Sequence, residues 1–188
     1  AYQTAYLKTY HKEDFIAATM STELTNTSKL REFVEELKRL NVEIIRPSIN
    51  KSFTEFKAID GKLYYGLGAI KNVGFEAVSN IINEREKKGK FKSFVDFVNR
   101  VNTKDVNKLQ LEGFVKAGVF DEFDKDRSKI LMSIPKIIQQ IKNINEDKNS
   151  HQKNLFDEQD AKEKDFDFLP HEPWKQKELL SEEFKSLG

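Results

Sequence analysis

The chain has 188 residues, of which 34% are charged and 38% hydrophobic, and its formal net charge is only +1. This composition fits a globular domain with appendages and gives no overall electrostatic sign of a nucleic-acid partner. The absence of cysteine excludes thiolate metal sites, disulfides and cysteine nucleophiles and fits a cytoplasmic setting; no apolar run reaches the length of about 18 residues that a membrane helix needs, and no signal-peptide pattern is present.

Residues 2–20 have helical spacing, with Tyr6, Tyr10, Phe15, Ile16, Ala17 and Met20 on one apolar face. Ser28 is the expected N-cap of a helix over 29–40 that carries Leu30, Phe33, Val34, Leu37 and Leu40. Val42 to Arg46 reads as a short strand stopped by Pro47. Phe53 to Ile59 and Leu63 to Tyr65 flank Asp60-Gly61, which predicts a β-hairpin.

Residues 67–82 carry the most chemistry. A short apolar helix end runs into the turn Asn72-Val73-Gly74, and a second helix opens with Ala77, Val78, Ile81 and Ile82 on one face. This is the pattern of a helix-hairpin-helix, which grips a nucleic-acid backbone. Gly74 is expected to take the left-handed φ of the turn and to let a phosphate approach closely. The first N–H groups of the following helix lack intrahelical partners and lie at the positive end of its dipole, where an anion is favoured. Lys71 adds a point charge. The bland alternative is an ordinary turn with a glycine C-cap.

Further on, Ser93 with Asp96 resembles a capping box before Phe94, Phe97, Val98 and Val101. A helix is predicted over 105–116 with Val106, Leu109, Leu111, Phe114 and Val115, ending at Ala117-Gly118-Val119-Phe120. Another follows over 127–144, where Pro135 should kink or restart it. Helix, glycine turn and helix thus recur about 45 residues on, in a degenerate form with a longer connection. Residues 145–172 are polar without apolar periodicity and read as a linker. Residues 175–187 return to helical spacing with Leu179, Leu180, Phe184 and Leu187.

Charge follows this division: residues 66–144 hold 15 Lys/Arg against 10 Asp/Glu, and residues 145–172 hold 4 against 9. Lys87, Lys88, Lys90 and Lys92 form either a solvated helix end or extra backbone contacts. Leu155-Phe156, after Gln152, is an apolar anchor in polar surroundings, of the kind that docks in a partner's pocket or folds back on its own domain. Asp165 and Asp167 lack the rigid scaffold that two-metal chemistry needs. His11, His151 and His171 show no ligand spacing, and no catalytic or metal-binding motif is present.

These residues resemble the alpha subunits of bacterial DNA polymerase III, the C-family replicative polymerases. The likeness rests on Ala1 to Met20, on Val42 to Gly74 with its run Tyr65-Gly66-Leu67-Gly68-Ala69-Ile70-Lys71, on Phe91 to Phe97, on Asn107-Lys108 and on Lys116 to Asp121. The family usually has glycine at the position of Asn72. Gln152, Leu155 and Phe156 are similar to the family's internal sliding-clamp motif, with Lys153 where an apolar residue is often found.

The resemblance implies a mostly α fold with a tandem helix-hairpin-helix, a small β-hairpin and an extended linker. It divides the chain into the end of a fingers domain (1–65), the tandem DNA-binding region (66–144), an acidic linker with the clamp motif (145–172) and a lead-in helix to an oligonucleotide-binding-fold domain (173–188). The implied role is sequence-independent binding of double-stranded DNA through Lys71, Asn72, Val73, Gly74, Lys116, Ala117, Gly118 and Val119, with the clamp held through Gln152, Leu155 and Phe156. Other holoenzyme subunits are implied partners, and a membrane is not. Catalytic aspartates and their magnesium are implied for a palm upstream of Ala1, so the segment itself is expected to be non-catalytic and free of cofactor. The alternatives are an interaction scaffold of the replisome with minor DNA contact, or the helix-hairpin-helix module of a DNA-repair protein.

Overall fold

A computed structural model describes residues 2–102, 104–149 and 168–187. The N-terminal stretch forms two helices, α1 (Tyr2–Tyr10) and α2 (Lys12–Thr22), which break at His11. Only α2 reaches the core, through Ile16, Ala17 and Met20; Tyr6 and Tyr10 of α1 are exposed and stack on each other, with ring centroids 4.7 Å apart. The single apolar face expected over 2–20 is therefore divided between two helices. Helix α3 (Thr27–Arg39) is capped by Asn26, whose side chain accepts from the Lys29 amide, and not by Ser28, which lies inside the first turn.

Strands β1 (Glu43–Ile45), β2 (Lys57–Ile59) and β3 (Lys62–Tyr64) make one small sheet in the order β1-β3-β2. The predicted hairpin is β2–β3, and both residues of its turn have positive φ, Asp60 at 51° and Gly61 at 72°, as a two-residue hairpin turn requires. The expected strand at 42–46 adds to it as β1, parallel to β3.

After a 3₁₀ turn (Leu67–Ala69) come α4 (Phe75–Lys88), α5 (Phe94–Arg100), α6 (Lys108–Lys116), α7 (Arg127–Asn149) and α8 (Gln176–Leu187). Helix α4 buries Ala77, Val78, Ile81 and Ile82, the stripe read from its spacing. Ser93 caps α5 by accepting from the Asp96 amide, while the Asp96 carboxylate turns to the Lys92 amide. Helix α6 starts at Lys108 because Asn107 and Gln110 form a full capping box. Helix α7 runs through Pro135 without a break. Pro135 is exposed, so the carbonyl it leaves unbonded can face water.

The core joins these elements around Phe91, Phe97, Phe114 and Phe120, which meet mostly edge to face. Beyond α7 the chain is docked again from Phe168. That ring packs beside Phe94 and under the Lys129 ammonium, the Leu169 amide donates to Ser133 Oγ, and His171 Nε2 lies 2.6 Å from Asp126 Oδ2. The end of the expected linker, 168–172, is thus held against α7.

Candidate nucleic-acid interface

The first turn is built from beneath. The 3₁₀ turn at 67–69 lies on the backbone of residues 53–56, with the Leu67 and Gly68 amides donating to Phe53 and Thr54 carbonyls at 2.8 and 2.9 Å. A Cβ on Gly66 would stand 2.6 Å from the Glu55 carbonyl carbon, and one on Gly68 would stand 2.8 Å from the Thr54 oxygen. This close approach explains the two glycines of Tyr65-Gly66-Leu67-Gly68. Ile70 and Val73 then point into the core, and the Val73 amide closes the turn on the Ile70 carbonyl at 3.2 Å.

Between these two anchors the chain bulges outward at Lys71 and Asn72, both exposed. The left-handed residue is Asn72, with φ 66°. Gly74 is extended, at φ −79° and ψ 138°, which corrects the expectation that it carries the positive φ. Asn accepts the left-handed region because its short side chain tolerates it. Gly74 serves differently: a Cβ there would meet only Gln110 Nε2, at 3.6 Å, so the glycine leaves its surface bare.

Gly74 is also the N-cap of α4, and no side chain caps that helix. The next three helices all have caps: Ser93 for α5, Asn107 for α6, and Asp126 for α7, whose carboxylate accepts from the Lys129 amide. Within α4–α7, α4 alone leaves its first N–H groups open beside an exposed turn. Its direction is fixed at the other end by Arg85, a buried guanidinium that donates to the Ile49 and Ser52 carbonyls at 2.7 and 2.8 Å. Burial holds the Arg85 pKa below the usual arginine value. Glu76 is the acid in the first turn of α4 and complements the dipole when no anion is present.

The second turn departs from expectation. Gly118 has φ 77°, and the Gly118 and Val119 amides return to the Val115 and Phe114 carbonyls at 3.1 and 3.0 Å. This pairing is the Schellman closure of a helix end. The Ala117 amide is spent on Gly113, and Ala117 and Val119 are only 3% and 0% exposed. The amides of Ala117, Gly118 and Val119 therefore face inward, for the reason that the bland C-cap reading gives. Over this turn lies Arg127, buried, with its guanidinium on Asp121 at 2.6 Å, on Glu183 of α8 at 2.9 Å and on the Lys116 carbonyl at 2.9 Å. Only the Lys116 side chain reaches outward, to Glu182 at 3.0 Å.

Helices α6 and α8 hold the two turns together. Gly113 of α6 lets the helix lie against the first turn, since a Cβ there would meet the Lys71 carbonyl oxygen at 2.7 Å. The Lys71 amide donates to Ser186 near the end of α8, and the Tyr65 hydroxyl donates to Leu187. Burial pushes the pKa of that tyrosine well up. No hairpin pattern signals the role of α8; the interior glycine of α6 was the available sign of a close approach.

Lys87, Lys88, Lys90 and Lys92 lie at or just beyond the far end of α4, about 20 Å from Gly74 at 1.5 Å per residue. There Arg100 donates to the Glu84 and Gly89 carbonyls, so the arrangement is that of a solvated helix end. Lys108, exposed at the start of α6, lies two residues before Gln110, whose Nε2 is 3.6 Å from where a Cβ on Gly74 would stand. Gln152, Leu155 and Phe156 lie outside the described residues, as do Asp165 and Asp167. Among the described residues no group of three or more His, Cys, Asp or Glu could hold a metal ion, and no helix is long and apolar enough to cross a membrane.

Comparison with known proteins agrees with this geometry. Residues 41–130 match the helix-hairpin-helix motif model. The chain is 39% identical over its whole length to the DNA polymerase III subunit alpha of Borreliella burgdorferi and 35% identical to that of Caulobacter vibrioides. It is 38% identical to that of Thermus aquaticus over 73% of its length. It spans 17%, 16% and 11% of the lengths of these three proteins.

Proposed function

Because the chain belongs to the DNA polymerase III alpha-subunit family, we propose that it binds the backbone of duplex DNA without reading sequence and positions that duplex for a polymerase. The observation that carries this is the uncapped start of α4 beside an exposed turn. Lys71, Asn72, Val73 and Gly74 form the grip: Val73 anchors it, Asn72 bends it, Gly74 leaves room for a phosphate, and Lys71 supplies charge. Lys108 and Lys116 add cations nearby. Ala117, Gly118 and Val119 contribute by fixing α6 and α7, and Lys116 is the second turn's contact. Such contacts position a duplex and carry no base readout. With three to four phosphates neutralised, the log–log salt slope on duplex DNA is roughly −3 to −4.

The family also supports a second part of the reading. Gln152, Leu155 and Phe156 dock on a sliding clamp, and the stretch that carries them leaves from the end of α7 and returns at Phe168. A weak motif suffices there, because tethering on clamp-loaded DNA raises its effective concentration. Nucleotidyl transfer with magnesium belongs, in this reading, to palm carboxylates of the longer subunit, which works in the cytoplasm with other holoenzyme subunits. The scaffold alternative draws on the burial of the second turn. Duplex binding by the chain, measured by anisotropy across a salt series, separates the two: a flat salt response or no binding favours the scaffold.

A further inference from the structure

The helix-hairpin-helix pattern ends at α7, yet the charge around the first turn is completed by α8. The turn, α6 and α8 enclose a cavity of about 130 Å³. Each contributes one lysine to its wall: Lys71 from the turn, Lys116 from α6 and Lys185 from α8. Asn72 lines it beside Lys71, and Gly113 lets the turn come close on that side.

The surrounding charges are unequal. Glu112 is the carboxylate in the wall, and it lies 3.9 Å from Lys108. Glu182 stands behind and bridges Lys116 at 3.0 Å and Lys185 at 2.5 Å. Four lysines thus meet two carboxylates. Glu182 also orients two of the ammonium groups that line the cavity. The negative end of α8 would oppose an anion here, but the two carbonyls nearest that end are already engaged. Ser186 accepts from the Lys71 amide and Leu187 from the Tyr65 hydroxyl.

We propose that this cavity takes a backbone phosphate of the bound duplex, next to the one held at Gly74, and that Lys185 of α8 is a DNA-contacting residue. The inference rests on the duplex-binding reading and extends it to an element outside the hairpins. The ligand class is a phosphodiester: the site is small, cationic, and continuous with the exposed turn. Helix α8 then has two tasks, closing the second turn through Glu183 and supplying a cation to the first.

The test is a salt series of duplex binding by the full chain and three variants. Lys185→Gln is expected to weaken binding several-fold and to make the log–log salt slope shallower by about one. Glu182→Gln is expected to strengthen binding, because Lys116 and Lys185 lose their competing carboxylate. Lys177→Gln, on the same helix but outside this cavity, is expected to keep the parent slope. The proposal is overturned if Lys185→Gln binds with the parent affinity and slope, or if Lys177→Gln matches its loss, which would mean bulk charge. It is equally overturned if Lys185→Gln and Glu182→Gln shift affinity in the same direction, as simple undocking of α8 would produce. No duplex binding by the unaltered chain would remove the underlying reading together with this one, whereas parent binding with an indifferent Lys185 removes this one alone.

Discussion

Gly113 and Lys71 are in backbone contact across the two hairpin units: a Cβ on Gly113 would lie 2.7 Å from the Lys71 carbonyl oxygen and 3.2 Å from Val73 Cγ2. The outward bulge of the first turn therefore rests on a bare patch of α6. The second unit supports the first turn more than it duplicates it.

Gly113→Ala tests that support. Alanine would raise helix propensity by up to about 1 kcal/mol. The backbone contact it creates cannot be relieved by a rotamer change, and overpacking of this kind costs about 1–3 kcal/mol. The expected net effect is a lower denaturation midpoint together with weaker duplex binding, measured on the same preparation.

Asn72 can be examined by the same logic. Its φ of 66° suits glycine at least as well. Asn72→Gly is expected to leave stability nearly unchanged, whereas Asn72→Val should cost about 1–2 kcal/mol, because a branched Cβ meets the following carbonyl. Equal denaturation midpoints for the two variants would refute the assignment of the left-handed position.

Arg127 closes the second turn from a buried position, and its removal strands Asp121 and Glu183. The two carboxylates keep solvent contact, with side chains 34% and 19% exposed, so the loss is that of charged hydrogen bonds to a buried guanidinium, about 1–3 kcal/mol. Arg127→Ala should lower the unfolding free energy by that amount, as read by urea titration.

Acid should weaken the Lys116–Glu182 link between α6 and α8 without undocking α8, which the Lys71 amide–Ser186 and Tyr65 hydroxyl–Leu187 bonds still hold. The Lys185 ammonium, and then that of Lys116, hold the Glu182 carboxyl below the ordinary carboxylate range. A carboxyl with a depressed folded pKa contributes stability to the folded state that is fully present above its unfolded value. That contribution is lost as pH falls below about 4.5 through the folded pKa. Trp174, two residues before α8, is the sole tryptophan and reports the event by fluorescence. Glu182→Gln should remove the acid transition seen at Trp174, and its persistence in that variant would assign the transition elsewhere.

Local signals carried much of the fold. The apolar stripe of α4, the Asp60-Gly61 turn and the Ser93 cap are short-range features, and each is present as its sequence predicts. What escaped depends on distant partners. Nothing near Glu43–Ile45 encodes pairing with Lys62–Tyr64, and nothing near Gln176–Leu187 encodes docking on the turns. Asn26 and Ser28 are both good caps, and the choice between them is made by where α3 meets the core. At the candidate site the position of the first turn was legible, because glycine and flanking apolar residues mark it. Which residue carries the positive φ was not, since both Asn72 and Gly74 tolerate it. The inward closure of Gly118 was also hidden: a phosphate grip and a Schellman cap share the same glycine.

In the proposed function Gly74 leaves the start of α4 open to a phosphate, and duplex binding by Gly74→Val, set beside its thermal unfolding, reads this directly. At φ −79° and ψ 138°, with only Gln110 Nε2 nearby, valine fits the fold, so the melting temperature should stay near the parent's. Its side chain would stand where the phosphate must approach, so affinity should fall at least tenfold. Parent-like affinity in a folded Gly74→Val, or a loss of binding matched by an equal loss of stability, would contradict the account.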